Sequence, residues 1–283
     1  MPKCADDASA GATTRLLRVR RVSPAAPAVA QEGVTCRHRG TVAVDDVTLS
    51  IAPGSFVAIV GPSGSGKTTL LRLVNRLGEP NEGRILVAGE DVRTQDPIGL
   101  RRRIGYVFQG IGLFPHMTVA ENIAITPRLL GWERAAREAR VDELLDLERL
   151  DRARYRGRMP HELSGGERQR VGVARALAAK PGLVLMDEPF GALDPLTREA
   201  LGDDYRALHA SLGLTTVLIT HDMLEAVFLA DRIAVMQAGR IVADAEPRAL
   251  LRREDDDFAA TLMRTPRRAA ARLDALMNGS ASA

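Results

Sequence analysis

The apolar positions of this chain fall into short runs separated by Gly- and Pro-bearing turns, and the runs alternate in kind. Phe56 to Val60, Ile104 to Phe108, Leu183 to Met186 and Thr216 to Thr220 are too short for helices and apolar almost throughout, the pattern of strands buried on both faces of a parallel sheet. Between them apolar residues recur at helical spacing: Leu70, Leu71, Leu73 and Val74, then Val171, Val173, Ala174, Ala176 and Leu177, then the stretch Pro195 to Leu212. Strand and helix in alternation predict an α/β fold. Before Phe56, Val42 to Val44 and Val47 to Ile51 read as two strands around Asp45-Asp46, and Arg84 to Ala88 as a further one closing on Gly89. Between Gly110 and Leu163 the pattern turns helical, with Val119 to Ile125 stopping at Pro127 and Glu133 to Leu150 carrying aliphatic residues among charges. Beyond the strands Ile233 to Met236 and Arg240 to Val242, an acidic run from Glu254 to Asp257 interrupts the pattern. Thr265-Pro266 then reads as a helix opening, with Ala269, Ala270, Leu273, Leu276 and Met277 on one face.

These shifts divide the chain into a disordered extension at 1–32, one large domain at 33–251 with a helical subdomain at about 110–165, and a tail at 252–283 holding one short helix. The extension is rich in Ala, Pro and Ser, carries a basic knot from Arg15 to Arg21, and lacks the apolar stretch of an export signal. Composition adds that the core must be aliphatic, since the hydrophobic share is 45% and the aromatic share 4%. No apolar run approaches the ~18 residues that span a bilayer, so the expectation is a soluble chain whose membrane role would come through a partner. Cys4 and Cys36 show no paired spacing and no Cys/His cluster offers a zinc site, the expectation of a reduced cytosolic compartment. The formal charge of +3 comes from scattered arginines with few aromatics beside them, a poor footprint for nucleic acid.

The candidate chemistry begins at the exit of the first buried run. Gly61-Pro62-Ser63-Gly64-Ser65-Gly66-Lys67-Thr68-Thr69 matches the phosphate-binding loop G-x-x-x-x-G-K-(S/T). Its glycines let the backbone wrap so that successive N–H groups converge on one anion, and the following helix aims its dipole at the same place. Lys67 would reach the β- and γ-phosphates of a nucleotide, and the Thr68 hydroxyl would sit on Mg²⁺. The run Leu183 to Met186 ends in Asp187, a carboxylate placed to hold Mg²⁺, and in Glu188, which alternates away from it on the strand as a general base for an attacking water. Ser164-Gly165-Gly166-Glu167 has the capping-box pattern, in which Ser164 caps a helix and Glu167 reaches back. Capping does not explain two glycines, whereas bare backbone at a helix N-terminus suits a phosphate. Because one phosphate site is already present, this second one suggests a γ-phosphate presented by another protomer.

The ordered set Gly61 to Thr69, Gln109, Leu163 to Glu167, Leu183 to Glu188, Ala192-Leu193-Asp194 and His221 closely resembles the nucleotide-binding subunit of ABC transporters, over about Val34 to Leu251. The resemblance implies a P-loop NTPase (RecA-like) core with a parallel sheet, an N-terminal antiparallel β-subdomain and an α-helical signature subdomain. It implies two subunits sandwiching two ATP molecules with Mg²⁺, each held by Gly61, Ser63, Gly64, Gly66, Lys67, Thr68 and Thr69 of one copy and by Ser164, Gly165 and Gly166 of the other. By the same resemblance Gln109 contacts Mg²⁺ and the water and senses the membrane subunit, Asp194 links the two sites, and His221 holds the γ-phosphate. Family members usually stack an aromatic on adenine, and here His38 stands at that position.

Ile104 to Gln109 with Ile111 to Met117, Pro127 to Trp132 and Pro160 to Leu163 look like the importers of quaternary amines such as glycine betaine, carnitine or choline. That resemblance implies transmembrane permease subunits, an extracytoplasmic binding protein and a peripheral place on the cytoplasmic face of the membrane. Gly110, where that group usually has a second Gln, and Glu167, where it has Gln, are departures. Many members carry paired CBS modules after the ATPase, whereas here one short helix follows, so osmotic sensing through such modules is not expected. The alternatives are an importer ATPase for another solute such as an amino acid or polyamine, a soluble ABC ATPase of DNA repair or translation, and a binder that holds ATP without hydrolysing it. Long coiled-coil insertions and tandem cassettes are absent, and Glu188 and His221 are intact, which favour the transporter ATPase.

Overall fold

A computed structural model describes residues 27–38, 40–253 and 257–277. The chain enters on β1 (Val29–His38), returns on β2 (Thr41–Ile51) and turns at Ala52 to Gly54 into β3 (Phe56–Val60), followed by α1 (Lys67–Val74). Then come β4 (Glu82–Val87), β5 (Glu90–Asp91), α2 (Pro97–Arg103) and β6 (Ile104–Val107). A helical block of α3 (Val119–Leu129), α4 (Arg134–Leu147), α5 (Arg152–Tyr155) and α6 (Gly165–Leu177) leads to β7 (Leu183–Asp187), α7 (Pro195–Leu212), β8 (Thr215–Thr220) and α8 (Met223–Leu229). The chain closes on β9 (Arg232–Gln237), β10 (Arg240–Ala245), α9 (Pro247–Arg252) and α10 (Phe258–Met277).

Among the described residues the strands form two sheets. One is antiparallel, in the order β2-β1-β4-β5; the other runs β10-β9-β3-β8-β7-β6, parallel from β9 to β6. The apolar runs read as buried strands are the interior of this second sheet. β3 shows why no alternation is visible in them: Phe56, Ala58 and Val60 enter the core shared with α3, α6 and α7, while Val57 and Ile59 enter the core shared with α1, β1 and β2. Parallel pairing of β6, β7, β8 and β3 brings their carboxyl ends to one edge, the place where open α/β sheets bind ligands.

The structure corrects several expectations. The extension was expected through Glu32, yet β1 begins at Val29 and pairs with both β2 and β4. Register shifts on either side of Val34 break its alternation, which hides the strand in the sequence. The two strands read around Asp45-Asp46 are one, because Asp46 takes a left-handed conformation at φ 49° and the ladder continues past it. Pro127 does not stop α3, which runs on to Leu129; it is buried, and its carbonyl accepts the Trp132 N–H at 3.0 Å. The terminal helix does not open at Thr265-Pro266. It opens after Asp257, whose carboxylate accepts the Ala260 N–H at 2.8 Å, and continues through Pro266 for 20 residues. Ala259, Ala260 and Met263 are buried on this helix, so it is packed into the core through a position where an interior Pro would otherwise cost ~3 kcal/mol. Residues 1–26 with Cys4, the run 254–256 and the side chains of Ala269, Leu273, Leu276 and Met277 lie outside the described residues.

Candidate functional site

The loop 61–66 leaves β3 under β2 and β9, and two contacts require its glycines. A Cβ on Gly61 would stand 2.0 Å from the Met236 carbonyl oxygen, and one on Gly66 2.1 Å from that of Ala43. No side chain caps α1, so the N–H groups of Lys67, Thr68 and Thr69 are turned toward the loop without an intrahelical or capping acceptor. Ser63 and Gly64 are exposed at the tip, and the buried Ser65 hydroxyl has no hydrogen-bond partner. Lys67 folds into the loop, its Nζ donating to the carbonyls of Gly61 at 2.8 Å and Pro62 at 2.9 Å. Burial pulls its ammonium below the usual lysine range, opposed by the nearby carboxylates of Glu188 and Asp187. Uncapped donors, an orphaned hydroxyl and a lysine facing backbone carbonyls make a cradle that fits an anion.

Beside it the Thr68 hydroxyl donates to Oδ1 of Asp187 at 2.9 Å. Burial pushes the Asp187 carboxyl up, while the Thr68 hydrogen bond and Arg72 pull it down. One hydroxyl and one carboxylate next to a phosphate cradle fit Mg²⁺, which takes few protein oxygens and completes its shell with phosphate and water. Tyr106 on β6 was not anticipated from the sequence. Its phenol interacts with Asp187 and Arg72, and burial pushes it up to about 12.

Glu188 departs from the strand alternation expected of it. β7 ends at Asp187, and Glu188 adopts φ 46° while its N–H donates to the Ile219 carbonyl at 2.9 Å. This left-handed residue turns the carboxylate toward Gln109 and His221. Oε2 accepts from Gln109 Nε2 at 3.2 Å and lies 3.4 Å from His221 Nδ1. The amide of Gln109, expected on the metal, thus faces the Glu188 carboxylate here. The loop after Gln109 is clamped by the buried Arg175 of α6, which donates to the carbonyls of Ile111 at 2.8 Å and Gly112 at 2.6 Å.

The capping box at α6 is present. The Glu167 N–H donates to the Ser164 hydroxyl oxygen at 3.2 Å, and the Ser164 N–H donates to Glu167 Oε2 at 2.7 Å. Tyr155 donates its hydroxyl to Oε1 of Glu167 at 2.5 Å, so both oxygens of that carboxylate are engaged and turned back on the helical subdomain. Its hydrogen bonds from Tyr155 and Ser164 hold the Glu167 carboxyl below its ordinary range. Gly166 has a packing reason that the sequence did not show, since a Cβ there would meet Thr197 Cγ2 at 2.9 Å. Gly165 faces Leu193, and the exposed Asp194 caps α7 by accepting the Thr197 N–H at 3.0 Å. His38 is exposed at the end of β1, its Nε2 3.8 Å from the Cys36 sulfur, on the hairpin whose Ala43 carbonyl abuts Gly66.

Residues 44–191 match the ABC transporter family. The chain belongs to that family. It is 52% identical over 219 residues to the glycine betaine/carnitine/choline transport ATP-binding protein OpuCA of Bacillus subtilis, an alignment covering 77% of this chain and 57% of that protein. It is 51% identical over 216 residues to the glycine betaine uptake system ATP-binding protein YehX of Escherichia coli, covering 76% and 70%. The dimeric structure of the bacterial ABC transporter cassette MJ0796 superposes with a TM-score of 0.71 at 34% identity, covering 78% of this chain and 99% of that one. The cassette here therefore spans 57% of the length of OpuCA while matching nearly all of an isolated cassette. Among the described residues no helix is long and apolar enough to cross a membrane.

Proposed function

We propose that the chain is the ATP-hydrolysing subunit of an importer for quaternary amines such as glycine betaine, carnitine or choline. The observation that carries the ATPase reading is the meeting of two sets of groups at one sheet edge, Lys67, Thr68 and Asp187 for phosphate and metal, and Gln109, Glu188 and His221 for the attacking water. Lys67 and the first N–H groups of α1 bind the β- and γ-phosphates; Thr68 and Asp187 hold Mg²⁺, which when bound neutralises charge on those phosphates. Gln109 and Glu188 orient the water, Glu188 takes its proton, and His221 holds the γ-phosphate. Ser164, Gly165 and Gly166 serve the ATP of a second copy, so the working form is a dimer, consistent with the dimeric cassette it resembles. Permease subunits, and through them an extracytoplasmic binding protein, complete the importer, with this chain peripheral on the cytoplasmic face. The cargo class rests on the named substrates of OpuCA and YehX.

The test is uptake. Cells lacking the chain should lose accumulation of radiolabelled glycine betaine or choline and regain it with the wild-type gene but not with Lys67→Ala. Loss of amino-acid or polyamine uptake instead would move the cargo to another class, and unchanged uptake of all of them would remove the importer reading.

His38 is proposed as the residue that meets adenine. An imidazole offers a smaller, more polar face than a phenol, and base stacking on aromatics contributes about 1–3 kcal/mol. His38→Tyr should therefore tighten ATP binding about fivefold, roughly 1 kcal/mol, in a fluorescent-nucleotide titration. Equal affinities would return His38 to an exposed turn residue.

A further inference from the structure

Arg198, in the first turn of α7, reaches two segments of the site at once. Its Nη1 donates to Oδ2 of Asp222 at 2.9 Å, and its Nη2 donates to the carbonyl of Leu193 at 3.0 Å. Leu193 precedes Asp194. Asp222 follows His221 and uses its other oxygen to cap α8, accepting the N–H groups of Leu224 at 2.9 Å and Glu225 at 3.3 Å. One planar cation thus fastens the segment that carries Asp194 to the turn that carries His221.

Both segments rest on Glu188. The Gly191 N–H donates to the Glu188 carbonyl at 3.4 Å, His221 Nδ1 lies 3.4 Å from its carboxylate, and a Cβ on Gly191 would stand 3.7 Å from His221 Cε1. Behind the turn, the Thr220 hydroxyl donates to the half-buried Glu225 at 2.5 Å and accepts the Asp222 N–H at 3.0 Å. The turn is therefore held from beneath by Thr220 and from the side by Arg198. Arg198 and Asp222 keep side-chain exposures of 27% and 28%, a setting in which an ion pair adds little to stability. What a guanidinium can supply there, and a point charge cannot, is a rigid fork whose two donors fix the separation of two acceptors.

We propose that Arg198 is a positioning residue: by holding the Leu193 carbonyl and the Asp222 carboxylate together, it sets His221 against Glu188 and makes the Asp194 segment and the His221 turn move as one. The inference rests on the reading of Glu188 and His221 as the hydrolytic groups, and a misplacement at that distance costs rate more than binding.

The experiment is a double-mutant cycle on the full chain with Mg²⁺ and ATP. Arg198→Gln removes the fork; Asp222→Asn keeps an oxygen to cap α8 and removes the charge. Each should lower kcat about tenfold with KM within about twofold and with an unfolding midpoint close to wild type. The double variant should be no slower than the worse single, since one contact is being removed twice. Arg198→Lys keeps the charge but reaches one acceptor, so its kcat should fall between wild type and Arg198→Gln. Wild-type kcat in Arg198→Gln, multiplicative losses in the double variant, or a change in KM alone would overturn the proposal; if Asp222→Asn fails to fold, Arg198→Gln and Arg198→Lys decide it. Glu188→Gln in the same assay separates the two levels. If it retains turnover, the reading of the site itself has failed; if it does not while Arg198→Gln is normal, only the positioning role falls.

Discussion

Glu188→Gln should slow ATP turnover roughly 100- to 10,000-fold while ATP still binds and holds the protein as a dimer. On the proposed reading Glu188, rather than Asp187, takes the proton from water. Asp187 is tied to the Thr68 hydroxyl and buried to 2% exposure, whereas the Glu188 side chain keeps 24% exposure and meets Gln109 and His221. A Gln has nearly the same shape and can still accept from Gln109, but it cannot take the proton. The backbone at this residue is held by its own N–H on Ile219, so the substitution leaves the turn in place. Phosphate release at saturating ATP measures the loss, and size-exclusion chromatography with ATP measures the trapped dimer. Unchanged turnover would place the base elsewhere.

The parts of this site legible in the sequence are those where one stretch of chain makes the chemistry. The phosphate loop, the strand ending in Asp187 and the capping box of Ser164 and Glu167 each announce themselves by local spacing, and each is where the sequence placed it. The sheet was legible for a related reason. Strands buried on both faces need no partner information to be recognised, so β3, β6, β7 and β8 stood within a residue or so of their true bounds. β1 was not legible, because its bulges at Val34 erase the alternation and its apolar residues are few. The interior prolines misled for the opposite reason. Pro127 and Pro266 obey local rules that tertiary burial overrides. Side chains whose partners lie far along the chain were invisible, since Tyr106, Tyr155, Arg175 and Arg198 meet Asp187, Glu167, Gly112 and Asp222 across 12 to 81 positions. Glu188 shows the limit most clearly. Its identity was readable, but its orientation depends on a left-handed turn that no strand periodicity implies.

Ser164→Arg should leave ATP binding to the isolated chain intact and lower hydrolysis at least ~100-fold, the scale expected when one pre-set donor to a developing charge is lost. The geometry divides the two effects. Lys67, Thr68 and the free N–H groups of α1 all lie in the first proposed phosphate site, and the hydrogen bonds of Ser164 are local to α6, so the substitution does not disturb the loop 61–66. Within α6 the Ser164 hydroxyl oxygen accepts from Glu167, which leaves its own proton to be donated outward, and Glu167 is kept from opposing an anion by Tyr155 and the Ser164 N–H. An arginine there deletes that donor, removes a cap with a contribution of about 0.5–2 kcal/mol, and fills the space a partner's phosphate would take. Ser164→Ala separates these contributions, because it loses the cap and the donor without adding bulk; it should hydrolyse ATP more slowly than wild type and faster than Ser164→Arg. The decisive readout is the dependence on protein concentration. Specific activity of the wild type should rise as the chain associates, and that of Ser164→Arg should stay flat near zero. Full turnover by Ser164→Arg, or wild-type activity independent of concentration, would mean that Gly61 to Thr69 and Glu188 suffice within one copy and that Ser164 is only a helix cap.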